Sequence, residues 1–214
     1  NHGIAALATE TVYGLAGNAY SNRAVTKIYS LKKRPKKNPL IVHFDSLQSI
    51  LKETEQNPYL QKLYRKFSPG PITYVLKLKK KSKISKKLIN KNGTIACRVP
   101  ANTHFRKIIR LTHAPLAAPS ANISNHVSPT SSKDVFDEFG KKIKFILDGK
   151  QSKVGIESTV VNLVWNINCF CSRFYCKFNC LAHVIHISSC SIFTRPLDIV
   201  SKFSSVCNAF FYRL

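Results

Sequence analysis

The sequence predicts an α/β or α+β domain, in which helices flank a mixed β-sheet. Short apolar or alternating stretches typical of strands recur through the first 164 residues, and amphipathic stretches with helical spacing lie between them in an irregular order. No internal repeat is present. The strand candidates are GIAALA, LIVHF, ITYVLKLKK, TIACRVP, PLAAPSAN, KFILDG and GIESTVVNLV. The helix candidates are AVTKIYSLKKR, SLQSILKET, NPYLQKLYRKF, THFRKIIRLTH and SSKDVFDEFG.

The first helix candidate has clear signals at both ends. The strand before it is predicted to break into a turn at Gly14 and Gly17. Ser21 or Asn22 can cap the helix, because a side-chain oxygen at that position accepts a hydrogen bond from the first turn. Pro35 ends it, since the residue before a proline is pushed out of the helical region. The strand LIVHF follows.

Turns and charged segments delimit the later elements. SPGP predicts a rigid turn before the strand ITYVLKLKK, and the basic segment 79–87 predicts a mobile loop. Pro100 stops the strand TIACRVP. Asp134 falls in the first turn of the last helix, where a negative charge suits the helix dipole.

The charge of the chain is unusual. It has 214 residues, with 34 Lys and Arg against 10 Asp and Glu, a net charge of +24. Such a surface favours polyanionic partners such as nucleotides or nucleic acid, although a compositional bias towards lysine would produce the same number. No targeting segment is visible in the first residues and no run of eighteen apolar residues occurs, so we expect a cytoplasmic protein without a membrane partner. The chain begins at Asn1 and has no methionine, so we expect a truncated N-terminus.

Residues 165–214 differ in composition from residues 1–164. Six of the seven cysteines lie there, acidic residues nearly vanish, and neither helical nor strand periodicity persists. We therefore expect one domain over residues 1–164, followed by a Cys- and Phe-rich tail that is poorly ordered or frameshifted. The cysteines and histidines between Cys169 and His186 offer an alternative zinc site, but their spacing matches no standard finger.

Standard phosphate-binding loops are missing, so side chains must hold any phosphate. Neither G-x-x-x-x-G-K-[ST] nor G-x-G-x-x-G occurs. Lys32 and Arg34, at the end of the first helix, are suited to phosphate oxygens, while Lys33, Lys36 and Lys37 are expected to be solvated. A structural alternative is that basic residues complement the helix dipole there.

The segment APSANISNHVSPT places hydroxyl and amide groups on a proline-stiffened loop after a short strand, a pattern that suits ligand binding but also ordinary turns. No protein nucleophile is predicted, because Ser120 and Ser158 lack the G-x-S-x-G motif. Paired carboxylates for acid–base chemistry are also absent, since Glu10 and Glu157 stand alone in the sequence. We therefore assign no catalytic side chain beyond phosphate neutralisation by Lys32 and Arg34.

Six blocks in order resemble one family. They are TETVYGL, K-x-R-P-x-x-N-P-L-I-V-H, S-P-G-P-I-T, A-C-R-V-P, P-L-A-A-P-S-A-N-I-S with S-P-T, and G-I-E-S-T-V-V. Together they resemble the YrdC/Sua5 family of L-threonylcarbamoyladenylate synthases over residues 3–164. The resemblance implies a twisted mixed sheet around a basic concave cavity. It also implies synthesis of threonylcarbamoyl-AMP from L-threonine, bicarbonate and ATP, with Mg²⁺ arriving on the ATP and no protein metal ligand.

The same resemblance implies roles for individual residues. Expected ATP contacts are Lys32, Arg34, Asn38, Thr94, Ser120, Asn122 and Ser128. Expected threonine contacts are Thr11, His43, Arg98, Ala118 and Ser158, with Arg98 pairing with the threonine carboxylate. The product would serve N6-threonylcarbamoyladenosine formation at position 37 of tRNA, together with the tRNA threonylcarbamoyl-transferase machinery.

Some features depart from the family pattern. Ala8 stands where the family usually has proline, and no segment after Leu163 matches the family's L-R-P-G-like strand, whose arginine reaches ATP. The alternative function is a non-catalytic module that binds dsRNA or tRNA on the same fold. Carbamoyl transfer within a larger hydrogenase-maturation protein would need acylphosphatase and zinc-finger segments, which this sequence lacks.

Overall fold

A single mixed sheet organises the structure, a computed structural model that describes residues 2–164 and the backbone of residues 168–171. The described part of the chain contributes eight strands in the order β1-β2-β6-β3-β5-β4-β7-β8. Pairs β3–β5 and β4–β7 are parallel and the other five are antiparallel. The strands are β1 Ile4–Ala8, β2 Tyr13–Asn18, β3 Ile41–His43, β4 Ile72–Lys77, β5 Thr94–Arg98, β6 Leu116–Ala117, β7 Thr159–Asn162 and β8 Asn168–Cys171. The predicted fold class is confirmed.

Helices cover both faces of the sheet. They are α1 Asn22–Leu31, α2 Leu47–Glu53, α3 Leu60–Phe67, α4 Thr103–Thr112 and α5 Ser132–Phe139, with short 3₁₀ turns at Lys86–Leu88 and Gly140–Lys142. The larger apolar cluster includes alternate strand residues and residues of α1, α2, α3 and α5. The smaller cluster lies on the opposite face, where Phe105 and Ile109 of α4 cover Leu7, Leu116 and Ala118. No helix within residues 2–164 is long and apolar enough to cross a membrane.

Helix α1 begins as predicted but ends earlier. The Ser21 hydroxyl accepts a hydrogen bond from the N–H of Ala24, which caps the first turn. The helix ends at Leu31 and not at the residue before Pro35, because Lys33 adopts a left-handed backbone with φ of 50°. This early ending turns residues 32–34 away from the helix axis.

The turn between β1 and β2 is not at the glycines. Gly14 and Gly17 lie inside β2, and the turn spans Thr9–Val12, where the Thr9 hydroxyl accepts from the N–H of Val12 and donates to its carbonyl. The glycines serve close packing instead. A Cβ atom added to Gly14 would lie 3.3 Å from the Cβ atom of Ala118.

Two other segments also differ from prediction. KFILDG forms no strand and contributes only an isolated bridge between Ile146 and Ala6. The basic segment 79–87 is fastened to the fold, because Ile84 is buried and the Glu53 carboxylate accepts hydrogen bonds from the Ser82 hydroxyl and the Lys83 N–H. The local sequence shows charge there, whereas the anchoring carboxylate comes from α2.

Candidate functional site

A cleft of about 480 Å³ opens beside the end of α1. Its walls are residues 32–35 with Asn38, the polar segment 120–128 and residues 155–157, and these together are called the cleft below. Six of the seven predicted ATP contacts line it: Lys32, Arg34, Asn38, Ser120, Asn122 and Ser128. Exposed Lys33, which we expected to be solvated, lines it as well.

The polar segment is positioned by the sheet. After β6 the chain continues beside β2, where the Leu15 N–H donates to the Pro119 carbonyl and the Ala121 N–H donates to the Tyr13 carbonyl. An isolated bridge joins Gly14 to Ser120. The backbone is therefore fixed up to residue 121, and the hydroxyl and amide side chains that follow form one wall of the cleft.

Lys32 is buried in that wall, with 1% of its surface exposed. Its ammonium group donates to the carbonyl oxygens of Ser120 and Asn122, and to Asn122 Oδ1 at 3.3 Å. Burial, together with the nearby charge of Arg34, lowers the pKa of Lys32 to about 7. The ammonium group thus faces protein oxygens in this structure.

Arg34 lies at the rim of the cleft. Its Nε donates to the Asn38 carbonyl at 3.1 Å and its Nη2 donates to the Pro39 carbonyl at 3.2 Å. These two bonds fix the guanidinium plane and leave three of its five N–H donors without a partner among the described residues. Burial lowers the pKa of Arg34, but an arginine remains charged at neutral pH. Arg34 is therefore oriented and able to bind an anion.

Sequence reasoning missed the acidic residues at the cleft. Glu157 lines it and accepts a hydrogen bond from the Ser128 hydroxyl at 3.0 Å. Glu138 of α5 supports the polar segment from outside, accepting from the Ile123 N–H at 2.8 Å and pairing with His126 at 2.7 Å. Nothing in the local sequence indicates these contacts, because each joins residues distant along the chain.

A second group of buried polar residues lies along the sheet. It comprises His43, Thr73 and Arg98 on strands β3, β4 and β5, Thr11 in the β1–β2 turn and Ser158 just before β7, and these five are called the sheet row below. His43 of β3 pairs with Arg98 of β5, and the register of β4 places Thr73 next to Arg98 on its other side. The Thr73 and Ser158 hydroxyls are 2.7 Å apart, and Arg98 Nη1 donates to the Thr11 hydroxyl at 2.9 Å.

The structure thus brings together the predicted threonine contacts. Ala118 lies on the same face as His43, since Leu116 pairs with His43 and side chains alternate along β6 and its continuation. Phe105 of α4 covers this face, with its ring centroid 5.0 Å from that of His43.

Arg98 already has a carboxylate partner. Its Nη2 lies 2.5 Å from Glu10 Oε1, and its Nε donates to the Gly70 carbonyl at 3.2 Å. Glu10 also accepts from the backbone N–H groups of Ala101, at 3.0 Å, and Asn102, just before α4. Glu10 is therefore held by one guanidinium and two backbone N–H groups, which the sequence did not predict. Three hydrogen bonds leave Arg98 two N–H donors without a partner among the described residues.

His43 is held in its neutral form. Burial, and then the neighbouring charge of Arg98, lower the pKa of His43 to about 3. Its Nδ1 atom is buried without a hydrogen-bond partner among residues 2–164. A neutral imidazole with an open nitrogen can accept or donate one hydrogen bond to a ligand without adding charge.

The cleft and the sheet row are adjacent. The Val154 N–H donates to the Glu10 carbonyl and the Gly155 N–H donates to the Thr11 carbonyl, both at 2.9 Å. The same segment then supplies Glu157 to the cleft and Ser158 to the sheet row. A ligand in the cleft and one at the row would therefore lie side by side.

Thr94 is not brought to either group. It is buried at the opposite end of β5 from Arg98, paired with Lys77, and does not line the cleft. Four residues of strand separate Thr94 from Arg98 by roughly 13 Å. The described residues also contain no cluster of three His, Cys, Asp or Glu side chains suited to a metal. The side chains of the alternative zinc site lie outside the described residues.

Comparison with known proteins identifies the family of this chain. Residues 1–170 match the Sua5, YciO and YrdC family, described as "Telomere recombination". The chain belongs to the Sua5/YciO/YrdC family. The "Threonylcarbamoyl-AMP synthase" of Pyrococcus abyssi is 43% identical over 75% of this chain and 47% of its own length. The Bacillus subtilis protein of the same name is 39% identical over 74% of this chain and 46% of its own.

A solved member of this family has the same fold. The crystal structure of P. abyssi Sua5 complexed with L-threonine superposes with a TM-score of 0.75 at 38% identity, covering 79% of this chain and 50% of that one. This chain therefore spans about half the length of these Sua5 relatives. The resemblance that the six sequence blocks indicate is confirmed at the level of family and fold.

Proposed function

We propose that this chain carries the active site of a threonylcarbamoyl-AMP synthase, which joins L-threonine, bicarbonate and ATP and releases pyrophosphate. The observation that carries the proposal is the cleft, whose rim holds Arg34, lying directly beside a buried row of polar side chains around Arg98. The names of the P. abyssi and B. subtilis relatives support the same reaction.

The cleft suits the triphosphate of ATP. Arg34 offers free N–H donors from a fixed guanidinium, and Ser120, Ser128 and Asn38 add polar groups on the same surface. Mg²⁺ would enter on the nucleotide and neutralise part of its charge. Side chains thus replace the backbone phosphate loop that the sequence lacks.

The sheet row suits a small amino acid. The two free N–H donors of Arg98 would bind the carboxylate of L-threonine, while Glu10 holds the guanidinium in place. Neutral His43 and the hydroxyls of Thr11 and Ser158 would contact the polar remainder of the ligand. Proximity to the cleft then brings the threonine nitrogen near the nucleotide.

The chemistry needs positioning more than a protein nucleophile. The amine of threonine and bicarbonate give a carbamate and water, a carbamate oxygen attacks the α-phosphorus, and the bond to pyrophosphate breaks. Holding the two reactants in one orientation supplies much of the rate, and Arg34 stabilises phosphate charge as the bond breaks. The sheet row would orient the threonine, and the cleft would hold the nucleotide and stabilise its phosphate charge.

A pyrophosphate-release assay on the 214-residue chain tests the proposal. We expect release only when ATP, L-threonine and bicarbonate are present together. Arg34→Ala should reduce the rate at least about 10-fold, the scale of one lost charged hydrogen bond. Lys37→Ala, in the same basic cluster but away from the cleft, should stay within about 2-fold. Release that does not depend on threonine would contradict the proposal.

The alternative of a non-catalytic RNA-binding module rests on the net charge of +24. Under the proposed function, tRNA and the transferase machinery would receive the product. Salt-sensitive binding of dsRNA or tRNA by a chain that releases no pyrophosphate would favour the alternative.

A further inference from the structure

Lys32 and Arg34 belong to one sequence motif, yet the structure gives their charged groups different surroundings. We infer that Lys32 is a positioning residue, which holds residues 120–124 of the polar segment against the end of α1. We also infer that Arg34 alone of the pair binds phosphate directly. This inference rests on the proposed function only in its last part, because the hydrogen bonds of Lys32 are made with protein atoms alone.

The contacts of the Lys32 side chain are all within the protein wall. Its ammonium group donates to two backbone carbonyls, those of Ser120 and Asn122, and approaches Asn122 Oδ1 at 3.3 Å. Three acceptors match the three donors of an ammonium group. Arg34, by contrast, is only partly buried and keeps unpartnered N–H donors at the rim.

The main chain of Lys32 holds the same segment. The Ser124 N–H donates to the Lys32 carbonyl at 2.9 Å, so residues 120 to 124 are bound to this one residue through both its side chain and its backbone. Asn122 in turn holds the residues that follow it, because its Nδ2 donates to the carbonyls of Ile123 and His126 at 2.8 and 2.7 Å. Lys32 thereby fixes the wall that presents Ser120 and Asn122.

Turning the ammonium group towards a phosphate would cost these bonds. It would leave the Ser120 and Asn122 carbonyls without their lysine donor inside the wall, where an unsatisfied acceptor is destabilising. Burial disfavours the charge of Lys32 and so lowers its pKa to about 7, which makes compensation by nearby oxygens necessary. Both facts keep the side chain where it is.

The two roles predict different effects on the protein before nucleotide is added. If Lys32 shapes the wall, its loss loosens residues 120–126 in the chain alone, so their backbone amide hydrogens exchange faster. If Lys32 only binds phosphate, its loss leaves that exchange unchanged and weakens ATP binding, because Coulomb attraction to the phosphates is lost.

The test measures amide hydrogen exchange of residues 120–126 in the wild-type chain, Lys32→Met and Arg34→Met without nucleotide, and the dissociation constants of ATP and adenosine for Arg34→Met. We expect Lys32→Met to speed the exchange at least about 10-fold and Arg34→Met to leave it within about 2-fold. Arg34→Met should weaken ATP at least about 10-fold and adenosine less than about 2-fold. Exchange that Lys32→Met leaves unchanged overturns the inference.

A second measurement uses the wild-type chain and does not depend on a variant folding. With ¹⁵N-labelled lysine, the Lys32 ammonium should give an NMR signal protected from solvent exchange before any nucleotide is added, and ATP should leave that protection unchanged. A signal that becomes protected only with ATP overturns the inference. If the wild-type chain binds no ATP, the proposed function is contradicted instead. The protected signal still shows whether the Lys32 ammonium is bonded to the polar segment.

Discussion

The cleft and the sheet row lie side by side but differ in backbone structure and in exposure. Segments outside the helices and strands form most of the cleft, its rim residues Lys33 and Asn38 are exposed, and the donors of Arg34 are partly unused. Three members of the sheet row lie on paired strands and the other two lie beside strand ends. All five are buried, and hydrogen bonds to protein partners hold Arg98, Thr11 and Thr73.

The difference follows from what each region would bind. Attraction between a guanidinium and a triphosphate acts over several ångströms and tolerates small errors in position. Hydrogen bonds to a small amino acid need correct distances and angles, which rigid strands supply better than loops. Mutations should therefore affect stability mainly in the sheet row and affinity mainly in the cleft.

The largest effect is expected for Arg98→Leu. Removing the guanidinium leaves the Glu10 carboxylate, with its side chain only 12% exposed, without its charged partner. We expect a loss of about 3 kcal/mol or more in the free energy of unfolding, measured by urea denaturation, and no detectable L-threonine binding.

Arg110→Leu is the matched control for that variant. Arg110 is 59% exposed and lies 4.0 Å from Asp45, so its loss should cost no more than about 0.5 kcal/mol. Equal destabilisation by the two variants would refute the contrast between a buried and an exposed pair.

The next effect is a pH dependence due to His43. Its pKa in the folded chain is about 3 and its ordinary value is 6.5, so between these values the unfolded chain binds more protons. The free energy of unfolding therefore falls as the pH falls below 6.5, by about 2 kcal/mol between pH 6 and pH 4.5 from this residue. Denaturation series at several pH values should show a shallower slope for His43→Gln, whereas exposed His104→Gln should keep the wild-type slope.

A smaller effect is expected for Thr73→Val, which keeps the side-chain shape but deletes the hydroxyl bonded to Ser158. We expect a loss of about 1 kcal/mol in stability and weaker threonine binding with ATP affinity unchanged. Thr26→Val, which removes an exposed hydroxyl bonded to the Asn22 carbonyl in α1, is the control and should change neither affinity. Weakened ATP binding by Thr73→Val would show that the two regions are not separable.

The smallest effect is expected in the cleft, for Glu157→Gln. The carboxylate faces a cationic cleft and opposes a polyanionic ligand, so its neutralisation should tighten ATP binding about 2- to 5-fold in calorimetry. Glu55→Gln, at an exposed site away from the cleft, should leave affinity unchanged. Weaker ATP binding by Glu157→Gln would show that this carboxylate assists the nucleotide instead.

Prediction from sequence succeeded where the signal is local or belongs to an ordered motif series. The mixed α/β class followed from alternating apolar patterns, and the ordered motifs identified the family. Six of the seven proposed ATP contacts line one cleft, and their contact with ATP stays a prediction. It failed where a partner is remote. Glu10 pairs with Arg98, 88 positions away, and Glu53 fastens the basic segment 79–87 through Ser82.

The sequence by itself determined which residue types are available and where most of the strands and helices form, because periodicity and capping act over a few neighbouring positions. Only the tertiary structure decided that Lys32 bonds to protein oxygens while Arg34 faces the cleft. Lys32 and Arg34 are two residues apart, on either side of a residue with φ of 50°, yet one side chain lies in a buried wall and the other at an open rim. The oxygens that hold Lys32 come from residues 88 to 90 positions later, so no local pattern encodes that contact.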